Sequence, residues 1–254
     1  MIWVHDLNPV ALDLGFAEIR WYGVFYLAAF LITFFWLKFL VRRKLINFSA
    51  RQIEDLIFGI ILGVIIGGRL GHFILYDFEN LFSLEIFKIW RGGMSFHGGL
   101  VGVFLAVFYL ARKWGRSFLE IADIIVIPAA IGLFFGRLGN FVNAELVGRM
   151  TNKEWGVIFP NFDESPRYPS QLFEAAKNIV IFITLLLTFR AKPRRGVLTF
   201  LFLILYGIGR TTVEIFWREP IAGFIVGLPK GAFYSLPVLL VGIIGLILVS
   251  IKKK

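Results

Sequence analysis

Seven long apolar stretches limit this chain to one class of fold. A helix needs about 20 predominantly apolar residues to cross the hydrocarbon core of a bilayer. Stretches of nearly that length or more lie near residues 20–38, 54–75, 95–112, 119–138, 172–189, 197–216 and 233–251. The fifth is the weakest, because Glu174 and Lys177 fall in its first two turns. Since a backbone in lipid must satisfy its hydrogen bonds internally, the pattern predicts an all-α, polytopic membrane protein with about seven transmembrane helices.

Composition and charge narrow the function classes further. The chain is 58% hydrophobic, whereas a soluble domain averages roughly 45–50% apolar residues. Its net charge of +10 comes from short basic clusters between the apolar stretches. A nucleic-acid-binding surface would instead present a basic stripe on one face. We therefore expect the lipid bilayer as a partner and no nucleic acid.

Cysteine and histidine usage argues against several kinds of site. The sequence has no cysteine, which excludes a disulfide or a cysteine nucleophile within this chain but leaves open a thiol on the substrate. Its three histidines, His5, His72 and His97, are far apart and show no metal-ligand spacing. We therefore expect no metal and no cofactor.

The basic clusters predict the orientation in the membrane. Over half of the 27 basic residues follow the odd-numbered spans, at 38–51, 112–116, 190–195 and 252–254. The connection after the second span is balanced instead, with Asp77, Glu79 and Glu85 beside Lys88 and Arg91. By the positive-inside rule, the N-terminus is predicted to lie outside and the C-terminus in the cytoplasm. We expect one integral membrane domain over residues 1–254, with a small extracytoplasmic lobe at 139–171.

A Gly-Arg pair interrupts three of the apolar stretches, at Gly68-Arg69, Gly136-Arg137 and Gly209-Arg210. An arginine at the centre of a bilayer costs about 2.5–3.5 kcal/mol. One interpretation is structural, because an arginine near a helix C-terminus complements the helix dipole and can reach the interface. The other is functional, because the guanidinium fork suits a phosphate, and lipid head groups carry the nearest phosphates.

Other polar groups fall near the predicted outward ends of the spans. His97 is either a hydrogen-bond partner or a general base, since an unperturbed histidine pKa of about 6.5 suits proton transfer near neutral pH. Asn140 either caps a helix or binds head-group hydroxyls. Arg210 and Glu214 are four residues apart and can pair on one helix face, as a structural ion pair or as a held phosphate ligand. Glu145 is either an ion-pair partner or a base.

Two other functions are open on these residues, and so is a purely structural role as a membrane partner, which would leave the arginines without a task. Ser95 near His97 could belong to an intramembrane serine hydrolase, although no Gly-x-Ser-x-Gly elbow surrounds it. Glycine-rich spans with internal arginines also suit a transporter of membrane lipids or small solutes. Against transport, the polar groups cluster at one predicted face rather than at the bilayer midplane.

At these positions the chain resembles the bacterial prolipoprotein diacylglyceryl transferases. The matching segments run in family order over nearly the whole length: Trp21-Tyr22-Gly23 with Tyr26, Gly67-Gly68-Arg69, Gly92-Gly93-Met94-Ser95-Phe96-His97-Gly98-Gly99, Gly136-Arg137-Leu138-Gly139-Asn140-Phe141-Val142-Asn143-Ala144-Glu145, Pro169-Ser170-Gln171-Leu172-Phe173-Glu174, and Tyr206-Gly207 with Arg210 and Glu214. One position departs from the pattern: many members have a histidine where this chain has Tyr168.

The resemblance implies an enzyme of the bacterial plasma (inner) membrane whose active site faces the outer leaflet. Such an enzyme moves the diacylglyceryl group of phosphatidylglycerol onto the lipobox cysteine in a prolipoprotein signal peptide. A thioether forms and glycerol phosphate leaves, as the first step of lipoprotein maturation. Carried over by position, the catalytic residues are His97, Arg137 and Arg210, with His97 as candidate base. The substrate-binding residues are Tyr22, Arg69, Asn140, Glu145, Tyr206 and Glu214.

Overall fold

The computed structural model describes residues 2–15, 18–88 and 92–251. Its helices are α1 (Trp21–Arg42), α2 (Ala50–Tyr76), α3 (Phe96–Lys113), α4 (Phe118–Val142), α5 (Ser170–Arg190), α6 (Val197–Phe216) and α7 (Lys230–Ile251). Within this described part of the chain, these seven helices are long and apolar enough to cross a membrane. The predicted fold class is confirmed, and the fifth span is a full helix despite its charges. Arg91 and Lys252–Lys254, used above to predict sidedness, lie outside the described residues, and the orientation of the termini stays a prediction.

Short strands occupy the segments between the helices. They are β1 (Trp3–Val4), β2 (Val10–Asp13), β3 (Glu18–Arg20), β4 (Val157–Ile158), β5 (Pro166–Arg167), β6 (Phe224–Ile225) and β7 (Leu228–Pro229). β1 pairs in parallel with β4, and β4 pairs antiparallel with β5. β2 pairs with β3 and β6 with β7, both antiparallel. Two short 3-10 helices, Phe78–Asn80 and Leu84–Phe87, follow α2.

The chain divides into two compact units. The first comprises Met1–Ile32 and Asp123–Lys254, and the second comprises Thr33–Ala122. The single membrane domain stays a prediction, as does the extracytoplasmic lobe at 139–171. In the first unit, the segment between α4 and α5 carries β4 and β5.

In the second unit, glycines allow α2 and α3 to pack backbone against backbone. A Cβ added at Gly63 would lie 2.7 Å from the carbonyl oxygen of Gly102, and one at Gly71 would lie 2.5 Å from the Cα of Gly98. A Cβ at Gly98 would collide with the carbonyl oxygen of Gly67. Small residues at such spacing are typical of closely packed transmembrane helices.

In the first unit, a buried carboxylate fixes the start of α6. Gly196 precedes this helix in a left-handed conformation (φ 92°) and has no side chain that could cap it. Asp123 of α4 acts instead: Oδ2 accepts from the Gly196 amide at 2.5 Å, and Oδ1 accepts from the Thr199 amide at 2.8 Å. The Thr199 hydroxyl donates to the same Oδ1 at 2.5 Å. Because α6 carries Arg210 and Glu214, this contact helps to set their position.

The end of α4 packs on the connection that follows it. Phe141 belongs to a small core with Val147, Val157 and Phe159. The His5 ring nitrogen Nε2 is hydrogen-bonded at 2.8 Å to the carbonyl oxygen of Phe141. The N-terminal strand therefore contributes to holding the segment that bears Arg137 and Asn140.

Candidate active site

A buried carboxylate on α5 gathers basic groups from three helices. Glu174 is fully buried. Its Oε1 accepts from Nη1 of Arg210 at 2.7 Å, and its Oε2 accepts from Nζ of Lys177 at 2.7 Å. Nε of Arg137, on α4, lies 3.6 Å from the same Oε2. Arg137 and Arg210, predicted from separate spans, thus share one carboxylate.

Arg210 is held from both sides. Its Nη2 lies 2.6 Å from Oε1 of Glu214, so the predicted i,i+4 pair is present. Gly231, at the start of α7, packs against the Glu214 carboxylate, since a Cβ there would lie 2.6 Å from Oε1. Two carboxylates therefore fix one guanidinium, as expected of a group that must be preorganised for a ligand.

Arg137 is linked to a chain of amides at the end of α4. Its Nη1 donates to Oδ1 of Asn140 at 3.2 Å, and Nδ2 of Asn140 donates to Oε2 of Glu145 at 3.1 Å. Asn143 donates to the other Glu145 oxygen at 3.1 Å. In these contacts Glu145 accepts from amides, and Asn140 bridges a cation and an anion.

Two predicted aromatic residues lie against this group. The Tyr22 ring packs on Gly139, where a Cβ would lie 2.5 Å from Cδ2 of the ring. Nζ of Lys177 lies 4.4 Å from the centre of the Tyr206 ring, a cation–π contact. A groove of about 490 Å³ opens beside Lys177 and is lined by Trp155, Phe173, Ala176, Gly209, Thr212, Val213 and Trp217. Polar groups and an apolar surface thus adjoin, as an amphipathic ligand requires.

The glycines of the three Gly-Arg pairs serve different purposes. A Cβ at Gly209 would lie 2.6 Å from Cγ of Lys177, and one at Gly68 would lie 2.6 Å from Cε of Met94. A Cβ at Gly136 would meet no atom within 4 Å. The first two glycines therefore make room for neighbouring side chains, whereas Gly136 borders open space.

Arg69 and His97 belong to the second unit. The Arg69 guanidinium is buried and donates to the carbonyl oxygens of Glu85 and Ile86 (the latter at 3.0 Å), Lys88 at 3.2 Å, Gly92, and Gly93 at 3.1 Å. These bonds engage all three guanidinium nitrogens in holding the loop before α3. They favour the structural interpretation of Arg69 over the predicted substrate-binding role. His97 is exposed in the first turn of α3, and its role as a base stays a prediction.

The comparisons with known proteins decide the family. A model of the prolipoprotein diacylglyceryl transferase family matches residues 9–248. The chain belongs to this family. It is 42% identical over 250 residues to a phosphatidylglycerol–prolipoprotein diacylglyceryl transferase of Legionella pneumophila (strain Lens), covering 96% of this chain and 97% of the relative. Relatives with the same name are 43% identical in Nitrosospira multiformis (95% and 86% covered) and 40% identical in Coxiella burnetii (strain RSA 331 / Henzerling II; 95% and 95% covered).

Tyr168, the departure from the diacylglyceryl transferase pattern, lies among aromatic rings. Its ring centre is 5.6 Å from that of Trp155 and 6.3 Å from that of Phe173. Its carbonyl oxygen accepts from the Gly148 amide at 3.0 Å. The side chain at this position packs, and the backbone pairs with the segment after α4.

Sequence reasoning missed three members of this diacylglyceryl transferase's charged cluster. Glu174 and Lys177 were read as a weakness of the fifth span, and Glu174 also as part of a matching family segment, but neither was predicted as a site residue. Ionisable residues inside a span are nevertheless a recognised sign of a functional site. Arg218 follows α6 and was not singled out, yet its guanidinium is buried near Glu214, with Nε 3.5 Å from Oε1. A useful signal was the i,i+4 series Arg210, Glu214, Arg218.

Proposed function

We propose that this chain transfers the diacylglyceryl group of phosphatidylglycerol to the lipobox cysteine thiol of a prolipoprotein, forming a thioether and releasing glycerol phosphate. The observation that carries the proposal is the convergence of Arg137 and Arg210 on Glu174, in a chain that belongs to the diacylglyceryl transferase family. The transporter alternative has no support from the relatives, which are named as transferases.

The proposed division of labour follows from the contacts. Arg137 and Arg210 bind the lipid phosphate and stabilise the negative charge that develops on it. Glu174 and Glu214 orient these arginines by direct ion pairs. Removing one preorganised donor of this kind costs about 10²–10³ in rate.

The remaining groups line the head-group end of the site. Asn140 accepts from Arg137, and Glu145 accepts from Asn140. Tyr22 packs on Gly139, and Tyr206 lies against Lys177. The attacking group is the substrate thiol, which is mostly protonated at neutral pH because its pKa is about 8.5. By resemblance, His97 is the proposed base that accepts its proton.

We further propose that the enzyme works in the bacterial plasma (inner) membrane, with its site towards the outer leaflet and its N-terminus outside. In this orientation the basic clusters after the odd-numbered spans lie in the cytoplasm, in keeping with the positive-inside rule. Its macromolecular partner is a prolipoprotein signal peptide, and no nucleic acid takes part.

A transfer assay tests this function. The full-length protein in detergent micelles is mixed with phosphatidylglycerol carrying labelled acyl chains and with a lipobox peptide. We expect the peptide to gain the mass of one diacylglyceryl group, with release of one glycerol phosphate. A peptide with serine in place of the cysteine is the control and should gain nothing. Movement of lipid between leaflets of reconstituted vesicles without any peptide modification would overturn the proposal.

A further inference from the structure

Arg218 carries a buried guanidinium without a hydrogen-bond acceptor among the residues that the structure describes. The residue is 4% exposed, and none of its three guanidinium nitrogens is hydrogen-bonded to a described residue. Its ion pair with Glu214 spans 3.5 Å, which is longer than a normal N–H···O bond. Leaving a buried charged donor unsatisfied is unfavourable, so this guanidinium is suited to a ligand that supplies the acceptor.

The backbone holds Arg218 in this place. Residue 218 forms a bridge with Gly148, and its carbonyl oxygen accepts from Nε of Arg149 at 3.1 Å. The Glu214 oxygen facing Arg218 is also the one that pairs with Arg210, at the shorter distance of 2.6 Å. A structural ion pair with Glu214 therefore leaves most of the Arg218 N–H groups without an acceptor among the described residues.

The cluster around Arg218 has a positive excess. The ionised groups joined by direct ion pairs are Arg137, Glu174, Lys177, Arg210, Glu214 and Arg218. Four positive and two negative charges leave an excess of two. Hydrogen bonds also link this cluster to Glu145, through Asn140, and to Arg149, whose opposite charges offset each other. Glu219, which follows Arg218 in the chain, is paired with Arg167.

Burial, together with the positive charges of Arg210 and Arg137, lowers the pKa of Arg218 to about 9. The Arg218 guanidinium is still cationic at neutral pH. When no anionic ligand is bound, it therefore lies close to the positive charges of Arg210 and Arg137. A doubly charged anion would offset this repulsion better than a singly charged one.

We propose that Arg218 binds the leaving phosphate and that the cluster is matched to a phosphate monoester dianion rather than to a diester monoanion. This inference rests on the proposed function and assigns to the same site a preference for the product's charge. Arg218 becomes a leaving-group ligand in addition to the two arginines expected by resemblance.

The chemistry of the proposed transfer creates that second charge. The thiol first loses its proton to the general base. The thiolate sulfur then forms a bond with the glycerol carbon of the diacylglyceryl group, and the bond from that carbon to the phosphate oxygen breaks. The bonding electron pair stays on this oxygen, so the phosphodiester monoanion becomes a monoester dianion. A donor that engages this oxygen lowers the barrier because its contact strengthens as the bond breaks.

A binding measurement separates the two anions. Labelled glycerol phosphate and its methyl diester are equilibrated with the full-length protein in detergent at pH 8, where the monoester is dianionic because its second pKa is about 6. For the wild type we expect the dianion to bind at least about tenfold more tightly, in line with a charge-assisted hydrogen bond. In Arg218→Gln the preference should shrink to about twofold or less. Arg112→Gln, which removes one exposed arginine at the end of α3, should keep it.

The stability of the ligand-free protein distinguishes ligand binding from a structural role. Removal of an unsatisfied buried charge should leave the melting temperature of Arg218→Gln equal to or above that of the wild type, while the rise caused by glycerol phosphate should fall. The inference would be overturned if the wild type bound both anions with equal affinity. It would also be overturned if Arg218→Gln preferred the dianion as strongly as the wild type does. Failure of both Arg218→Gln and Arg218→Lys to fold would overturn it as well, because that result would assign Arg218 a structural role.

The transfer assay keeps the two proposals apart. Transfer without any preference for the dianion would remove the inference and leave the proposed function. A dianion preference in a protein that transfers no lipid would remove the proposed function instead.

Discussion

Replacing Glu174 with glutamine tests whether one carboxylate organises the cluster. Glu174 is fully buried. Its Oε1 lies 2.7 Å from Nη1 of Arg210, and its Oε2 lies 2.7 Å from Nζ of Lys177. Glutamine keeps the shape but removes the charge, so Arg137, Lys177 and Arg210 would lose their common counter-ion. The amide group would also add donors where acceptors are needed.

The magnitude follows from these contacts. A hydrogen bond to a charged group contributes roughly 1.5–3 kcal/mol, and two such bonds end on Glu174. Breaking a buried ion pair by removing one partner costs about 3–5 kcal/mol. We therefore expect Glu174→Gln to lower the free energy of unfolding by about 3–5 kcal/mol and the transfer rate per folded molecule by about 10²–10³.

Unfolding by SDS in mixed micelles and transfer to a lipobox peptide measure the two effects. Glu79→Gln is the matched control, because Glu79 is an exposed acid in the 3-10 helix after α2, and it should behave as the wild type. Glu174→Asp keeps the charge on a shorter side chain and should fall between the two. If Glu174→Gln unfolds with the control and transfers within threefold of the wild-type rate, the organising role of Glu174 is refuted.

Three further predictions concern packing and charge. Gly139→Ala should reduce the transfer rate by tenfold or more, because its Cβ would lie 2.5 Å from the Tyr22 ring and small displacements in an active site lower the rate strongly. Gly136→Ala is the control and should transfer at the wild-type rate, because its Cβ would meet no atom within 4 Å. Gly98→Ala should lower the melting temperature because its Cβ would collide with the carbonyl oxygen of Gly67. Gly99→Ala should leave the melting temperature unchanged, because the nearest atom to its Cβ would be 3.6 Å away. Equal melting temperatures of the two variants would contradict the close α2–α3 contact. Hydrogen bonds from Arg167 lower the pKa of Asp163. This pair should therefore stabilise its segment fully at pH values above about 3.9, the pKa of aspartate in the unfolded chain. The stabilisation should be lost as the pH falls through the lower pKa of Asp163 in the folded protein. The protection factors of amides across 148–167, which correct for the intrinsic pH dependence of hydrogen exchange, should then fall in acid for the wild type. Asp163→Asn should show lower protection factors already at neutral pH, and unchanged protection in the variant would contradict this.

The fold was predictable because its main signal is local. Each span is a continuous apolar run, and the observed helices begin and end within about four residues of the predicted limits, within the usual uncertainty of element ends. Ser49 illustrates the same point at a helix start: its side chain accepts from the Gln52 amide, and the Gln52 side chain accepts from the Ser49 amide. A capping box of this kind can be read from sequence.

The site was predictable only in part because its central contacts are non-local. The Arg210–Glu214 pair follows from helical spacing and is present, whereas the contact of both arginines with Glu174 depends on how α4, α5 and α6 pack. Three apparently equivalent Gly-Arg pairs also proved different: Arg69 binds backbone carbonyls of its own unit, while Arg137 and Arg210 face a shared carboxylate. Sequence periodicity gives the level of an arginine in a span but not the partner that it meets.

The most direct test of the proposed site is an experimental structure of the full-length protein with glycerol phosphate bound. We expect phosphate oxygens about 2.7–2.9 Å from guanidinium nitrogens of Arg137, Arg210 and Arg218, with Glu174 still paired to Arg210. A phosphate bound elsewhere in the chain, with these three guanidinium groups making no contact to it, would contradict the account.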